Sequence, residues 1–159
     1  MKIFTIGVYN STEDEFFNKL TANNIDTFCD IRQRRGVRGK TYSFVNSKYL
    51  QEKLKSLNIK YIHILDLAPT KDIREKQWAK DKELGETKRS RDCLGDVFIK
   101  EYEKNILNNF DFDNLVDKLK NENAQNVVFF CVEHNATACH RSLVAEKLNE
   151  KYNYPIKDL

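Results

Sequence analysis

Proline and glycine are scarce: the 159 residues include two prolines and five glycines. No linker, low-complexity tract or internal repeat divides the chain, so residues 1–159 read as one domain, long enough to bury a real core. Cysteine is also sparse. Cys29, Cys93, Cys131 and Cys139 fall at irregular spacings, which argues against a secreted disulfide framework, and no Cys-x-x-Cys pair is present. No apolar run approaches the roughly 18 residues of a membrane helix. The opening Met1 to Gly7 is too short and strand-like for a signal peptide. These absences predict a cytoplasmic protein with no membrane partner. Acid is missing from one place in particular. Arg32, Arg34, Arg35, Arg38 and Lys40 stand within nine positions that hold no Asp or Glu, although the net charge is only +3. Such a patch attracts phosphate on a nucleotide, a nucleic acid or a small anion; a solvated loop is the plain alternative.

What is present alternates between two periods. Lys2 to Val8 predicts a first strand ending near Gly7. Thr12 and Glu15 have capping-box spacing ahead of a helix from about Glu13 to Asn23, and Ile25 to Ile31 predicts the second strand. A helix over Ser47 to Leu57 precedes a third strand over Lys60 to Leu65, where His63 reads as a core histidine. Thr70 to Arg91 is polar and weakly helical around the single Trp78, and reads as a flap over the site. Helices follow over Leu94 to Asn108 and around Leu115, then a strand over Asn126 to Val132 and a helix from His140 to Glu150. Tyr154 to Ile156 reads as a short last strand. This alternation predicts an α/β fold, a three-layer α/β/α sandwich with a mostly parallel, Rossmann-like sheet. Ligands of such sheets gather beyond the carboxyl ends of the strands. That edge would unite Gly7 to Asn10, Asp30 to Arg32, Asp66 to Pro69 and Cys131 to Arg141.

The densest chemistry lies in the last of these. Cys131, Glu133, His134, Cys139, His140 and Arg141 fall within eleven consecutive positions. Three readings follow. A loop that ends at a helix start bearing Arg141 fits an anion cradle, with Arg32 and Arg141 as ligands and Asp30, Glu133 and His140 as proton carriers. Cys131 or Cys139 fits a nucleophile assisted by a neighbouring histidine, on a strand–cysteine–loop–helix plan that resembles rhodaneses and cysteine phosphatases. The phosphatases, however, place five residues between cysteine and arginine, whereas nine separate Cys131 from Arg141. The third is a zinc site, disfavoured because adjacent Cys139 and His140 would point apart on a helix; no metal and no cofactor is therefore expected. Cys29 and Cys93 read as single structural cysteines, and Tyr42, Phe44 and Tyr49 as core aromatics that could otherwise stack bases.

Thr5-Ile6-Gly7, Asp30-Ile31-Arg32, Leu67-Ala68-Pro69 and Cys131-x-Glu133 with Cys139-His140-Arg141 together resemble the domain-of-unknown-function 488 family over nearly the whole chain. The resemblance implies a compact α/β/α sandwich and names no activity. Two stretches depart from the pattern seen in relatives: Val8 and Tyr9 stand where His-Ser is common, and Gln33, Arg34 and Arg35 where a proline is frequent. The expected function is binding or processing of a phosphate-containing ligand, nucleotide or nucleic acid. Catalytic candidates are Asp30, Glu133, His140, Cys131 and Cys139; ligand-binding candidates are Gly7, Arg32, Arg141, Arg34 and Arg35. A non-enzymatic nucleic-acid module using loop 32–40 and a cysteine-nucleophile enzyme are the alternatives.

Overall fold

A computed structural model describes residues 1–159. Its frame is a five-stranded, all-parallel sheet in the order β3-β2-β4-β1-β5. The strands are β1 (Lys2–Ile6), β2 (Thr27–Asp30), β3 (Lys60–His63), β4 (Asn126–Phe130) and β5 (Ile156–Asp158). The helices are α1 (Glu13–Ala22), α2 (Ser47–Ser56), α3 (Lys71–Glu83), α4 (Asp96–Tyr102), α5 (Phe112–Asn121) and α6 (His140–Tyr152). Parallel neighbours need crossovers, and helices fill both faces, as the apolar runs predict. No helix is long and apolar enough to cross a membrane.

The central strand shows why the runs are continuous. Val128 and Phe130 pack with Phe16, Leu20, Leu50 and Leu54 on the α1–α2 face. Val127 and Phe129 pack on the opposite face with Tyr102, Leu119, Val144 and Leu148. Alternate side chains of β4 thus enter two separate cores, and both must be apolar.

Helix boundaries follow local chemistry. The Thr12 hydroxyl accepts from the Glu15 amide at 3.2 Å while Thr12 N–H donates to the Glu15 carboxylate at 2.7 Å, the predicted capping box. Glycine scarcity leaves the helix exits to asparagine. Asn24, Asn58, Asn123 and Asn153 take φ of 51°, 57°, 59° and 56°, the left-handed turn that ends a helix before a strand. The helix expected over Leu94 to Asn108 changes winding midway: α4 passes at Glu103–Leu107 into a π-helical turn. The last strand lies slightly later than the sequence pattern placed it, beside β1.

Candidate functional site

The order of the sheet sets the site. β1 and β2 leave in sequence but stand on either side of β4, so the exits of three strands converge. At the β1 exit, Gly7 is required by proximity. A Cβ there would lie 1.8 Å from the Glu133 carbonyl oxygen and 3.2 Å from Arg141 Nη1. Gly7→Ala must push the β4 loop away. The expected cost is at least the ~1–3 kcal/mol of ordinary overpacking. For a chain of this size the melting midpoint should fall by roughly 5 °C or more. A thermal scan that leaves Gly7→Ala level with the parent would show that the two strand exits do not meet this closely.

At the β2 exit, Asp30 grips Arg32. Arg32 Nε and Nη2 donate to the two carboxylate oxygens at 2.9 and 2.7 Å, and the Arg32 amide donates at 3.1 Å. Tyr61 donates its hydroxyl to the same carboxylate at 2.9 Å. Burial and the Asp30 charge push Tyr61 up to about 12, keeping it a donor. Arg32 lies over the Phe130 ring, and its Nη1 is buried without a partner.

The β4 loop supplies the rest. Cys139 is in extended backbone (φ −142°, ψ 143°) just before α6, so its side chain is not fanned away from His140 as on a helix. Cys139 Sγ and His140 Nδ1 lie 3.7 Å apart, and both group with Cys131 Sγ within 4.8 Å. This corrects the expectation that adjacent Cys139 and His140 diverge. His140 Nε2 meets the Ile31 carbonyl at 3.2 Å, binding the start of α6 to the β2 exit. The Cys139 neighbour and burial push the Cys131 thiol well up. A resting nucleophilic thiolate needs the opposite. Burial disfavours a charged His140, but Cys131, Glu133 and the Ile31 carbonyl outweigh it and raise its pKa.

A segment that the sequence left hard to read closes the site. Arg91 is buried and donates to Asp81 at 3.0 Å, to Glu133 at 3.1 Å and twice to the Ala138 carbonyl at 3.0 Å. Gln77 holds Asp81 at 2.7 Å and caps the Gly95 amide at 2.9 Å. The segment after α3 is further tied to the β4 loop by Asn135 on Asp92 and by Thr137 on the Asp92 carbonyl. Burial alone would raise Glu133, yet Lys88, His140 and Arg91 hold it near 2, and its Oε2 is buried without a partner.

Between this segment and the strand exits lies a cavity of about 320 Å³. The β2 exit loop contributes Arg32, Arg34 and Arg38; the covering segment contributes Arg74, Lys88, Arg89 and Arg91. One carboxylate, Glu133, faces these seven cations. Cys131 and His140 line the inner wall, and Tyr9 and Tyr42, with ring centroids 5.3 Å apart, stand beneath the guanidinium of Arg89.

The residues singled out in the sequence divide. Arg32, Arg34, Cys131, Glu133 and His140 reach the cavity. Asp30 stands behind Arg32, its oxygens occupied by Arg32 and Tyr61, and does not line the cavity. Cys139 is fully buried behind Cys131, and Arg35 is exposed beside the cavity. Arg141 is fully buried beneath the loop: it donates to the Glu133 carbonyl at 2.6 Å and the His134 carbonyl at 2.8 Å. Arg141 thus braces the loop and does not line the cavity. Phe44 is core, Tyr42 reaches the cavity, and Tyr49 is exposed against Glu13. His63 Nε2 donates to the Arg32 carbonyl at 2.9 Å.

The family described as "Domain of unknown function DUF488" matches residues 12–148 of this chain. No curated protein and no protein of solved structure is significantly similar to it.

Proposed function

The chain belongs to the DUF488 family, and we propose that its cavity binds a small phosphate-bearing ligand of nucleotide size at the carboxyl ends of β1, β2 and β4. The charge of the walls carries this reading: seven guanidinium or ammonium groups face one carboxylate. Asp30 and Asp81 behind the walls answer Arg32 and Arg91, and Lys88 pairs with Glu133, but Arg34, Arg38, Arg74 and Arg89 have no carboxylate partner, so the cavity keeps a positive field that a dianion relieves. Guanidinium forks favour phosphate over a monovalent anion, because three oxygens engage several donors at once. Arg32 Nη1 is a buried donor that lacks a partner, and an anion in the cavity would supply one. The cavity volume falls within the ordinary range for small ligands. The Arg89 guanidinium, held over Tyr9 and Tyr42, offers a plane on which a base can stack.

Calorimetry with inorganic phosphate, a nucleoside monophosphate and a short single-stranded oligonucleotide tests this. The monophosphate should bind with one site. Arg34→Ala and Arg38→Ala should each weaken it about two- to fivefold, the ~0.5–1 kcal/mol of an exposed ion pair. The oligonucleotide reading rests on the same exposed Arg34, Arg35 and Arg38. Binding confined to the oligonucleotide, falling steeply with salt and equally sensitive to Arg35→Ala, would replace the cavity ligand by a nucleic-acid surface.

A further inference from the structure

The structure assigns a zinc-type metal site to Cys131, Cys139 and His140, with a fourth coordination position opening on the cavity. The three donor atoms lie within 4.8 Å of one another in a buried pocket. Zinc bound to sulfur at ~2.3 Å and to nitrogen at ~2.0–2.1 Å in tetrahedral geometry separates those two ligands by about 3.6 Å. The observed Cys139 Sγ to His140 Nδ1 distance is 3.7 Å. Donors already at this spacing need little movement to close on an ion.

The surroundings prepare the histidine for that part. His140 Nε2 engages the Ile31 carbonyl at 3.2 Å. A carbonyl only accepts, so Nε2 carries a proton, and Nδ1 is the nitrogen that faces the sulfurs and would give its lone pair to a metal. A metal-ligating imidazole is held by its other nitrogen in this manner. The Tyr102 ring packs edge-on against the imidazole, and its hydroxyl donates to the Leu67 carbonyl at 2.6 Å, which fixes the ring plane.

Charge and softness select the ion. Two thiols side by side in a dry site cannot both ionise alone, and a divalent cation supplies the countercharge. On binding, two thiol protons leave to solvent, and the two thiolates plus the divalent ion sum to zero. The site therefore adds no charge to a cavity already rich in cations. Two thiolates and an imidazole suit zinc among available divalent ions. Three protein ligands leave one position open, as in catalytic rather than purely structural zinc sites. Cys131 and His140 line the cavity whereas Cys139 does not, so that position faces the space where a ligand oxygen or a water would stand. Glu133 Oε2 is a buried acceptor without a partner on the same cavity wall.

The assignment does not depend on the anion reading, and its test contains no phosphate. Full-length protein, reduced and freed of metal by chelation, is titrated with cobalt(II) and then zinc(II). One equivalent of cobalt should bind with a thiolate-to-cobalt charge-transfer band and tetrahedral ligand-field bands, and zinc should displace it stoichiometrically. Cys131→Ser and Cys139→Ser should each weaken the charge-transfer band and weaken zinc by about 100-fold or more, since even an outer-shell partner is worth ~10–100-fold, and the double replacement should abolish the band. Cys29→Ser and Cys93→Ser should retain it. A six-coordinate cobalt spectrum without a thiolate band in the parent protein overturns the assignment with no variant needed. So does a band that persists undiminished when Cys131→Ser and Cys139→Ser are combined.

Discussion

Arg91→Ala should lower the melting midpoint by roughly 10 °C. Its guanidinium is the only group that touches Asp81, Glu133 and the Ala138 carbonyl together. Truncation leaves two buried carboxylates short of their countercharge, and removing one partner of a buried pair costs about 3–5 kcal/mol. In a domain of this size each kcal/mol moves the midpoint by about 2–4 °C. The damage should also be local. Leu94 donates to the Thr137 carbonyl and Asn135 to Asp92, so the covering segment and the β4 loop are joined mainly through residues 91–94. Limited proteolysis should therefore cut Arg91→Ala between residues 84 and 95 much faster than the parent. Lys88→Ala is the internal comparison. Lys88 touches the same Glu133 oxygen at 3.3 Å, but its side chain is 45% exposed, and screening reduces such a contact to about 1 kcal/mol or less. Equal losses for Arg91→Ala and Lys88→Ala would mean that Arg91 does not fasten the covering segment.

This covering segment is also where the sequence was least legible, and the reason is physical. A helix on a protein surface normally announces itself by an apolar stripe. In α3 the buried positions are Ile73, Gln77 and Asp81, so two of the three inward side chains are polar and are satisfied by Arg91 and Gly95 rather than by packing. Periodicity cannot report such a face. Elsewhere inward positions are apolar and the reading holds: Val127 to Phe130 predict a strand buried on both sides, and Thr12 with Glu15 predicts the start of α1. Convergence of the strand exits follows from the parallel sheet. Which residues of those exits face the ligand space does not follow from sequence position. Arg141 at a helix start resembles an anion ligand, yet it turns under the loop to brace the Glu133 and His134 carbonyls. Cys139 and His140 look divergent only if both are helical, and Cys139 is not.

Asp30→Ala should cost about 3–5 kcal/mol, because it leaves the buried Arg32 charge without its carboxylate. Stability alone would not separate a structural ion pair from a ligand-positioning one. The double replacement Asp30→Leu with Arg32→Met does. Apolar side chains of similar volume in place of a buried ion pair are often neutral or stabilising, so the double variant should recover most of the lost stability. Monophosphate binding should not recover with it. Arg32 spends Nε and Nη2 on Asp30, and Nη2 also on the Val45 carbonyl at 3.0 Å, leaving Nη1 buried, unpartnered and beside the cavity. A hydrogen bond from that nitrogen to phosphate is worth about 1.5–3 kcal/mol, or roughly 10- to 150-fold in affinity. Arg32→Met therefore removes the donor while the fold stands. On the proposed anion reading, the pair has one purpose that packing cannot replace: Asp30 holds the guanidinium plane with its one free corner toward the cavity. A double variant that regains its melting midpoint and also binds the monophosphate as tightly as the parent would reduce Asp30 and Arg32 to a strut at the end of β2.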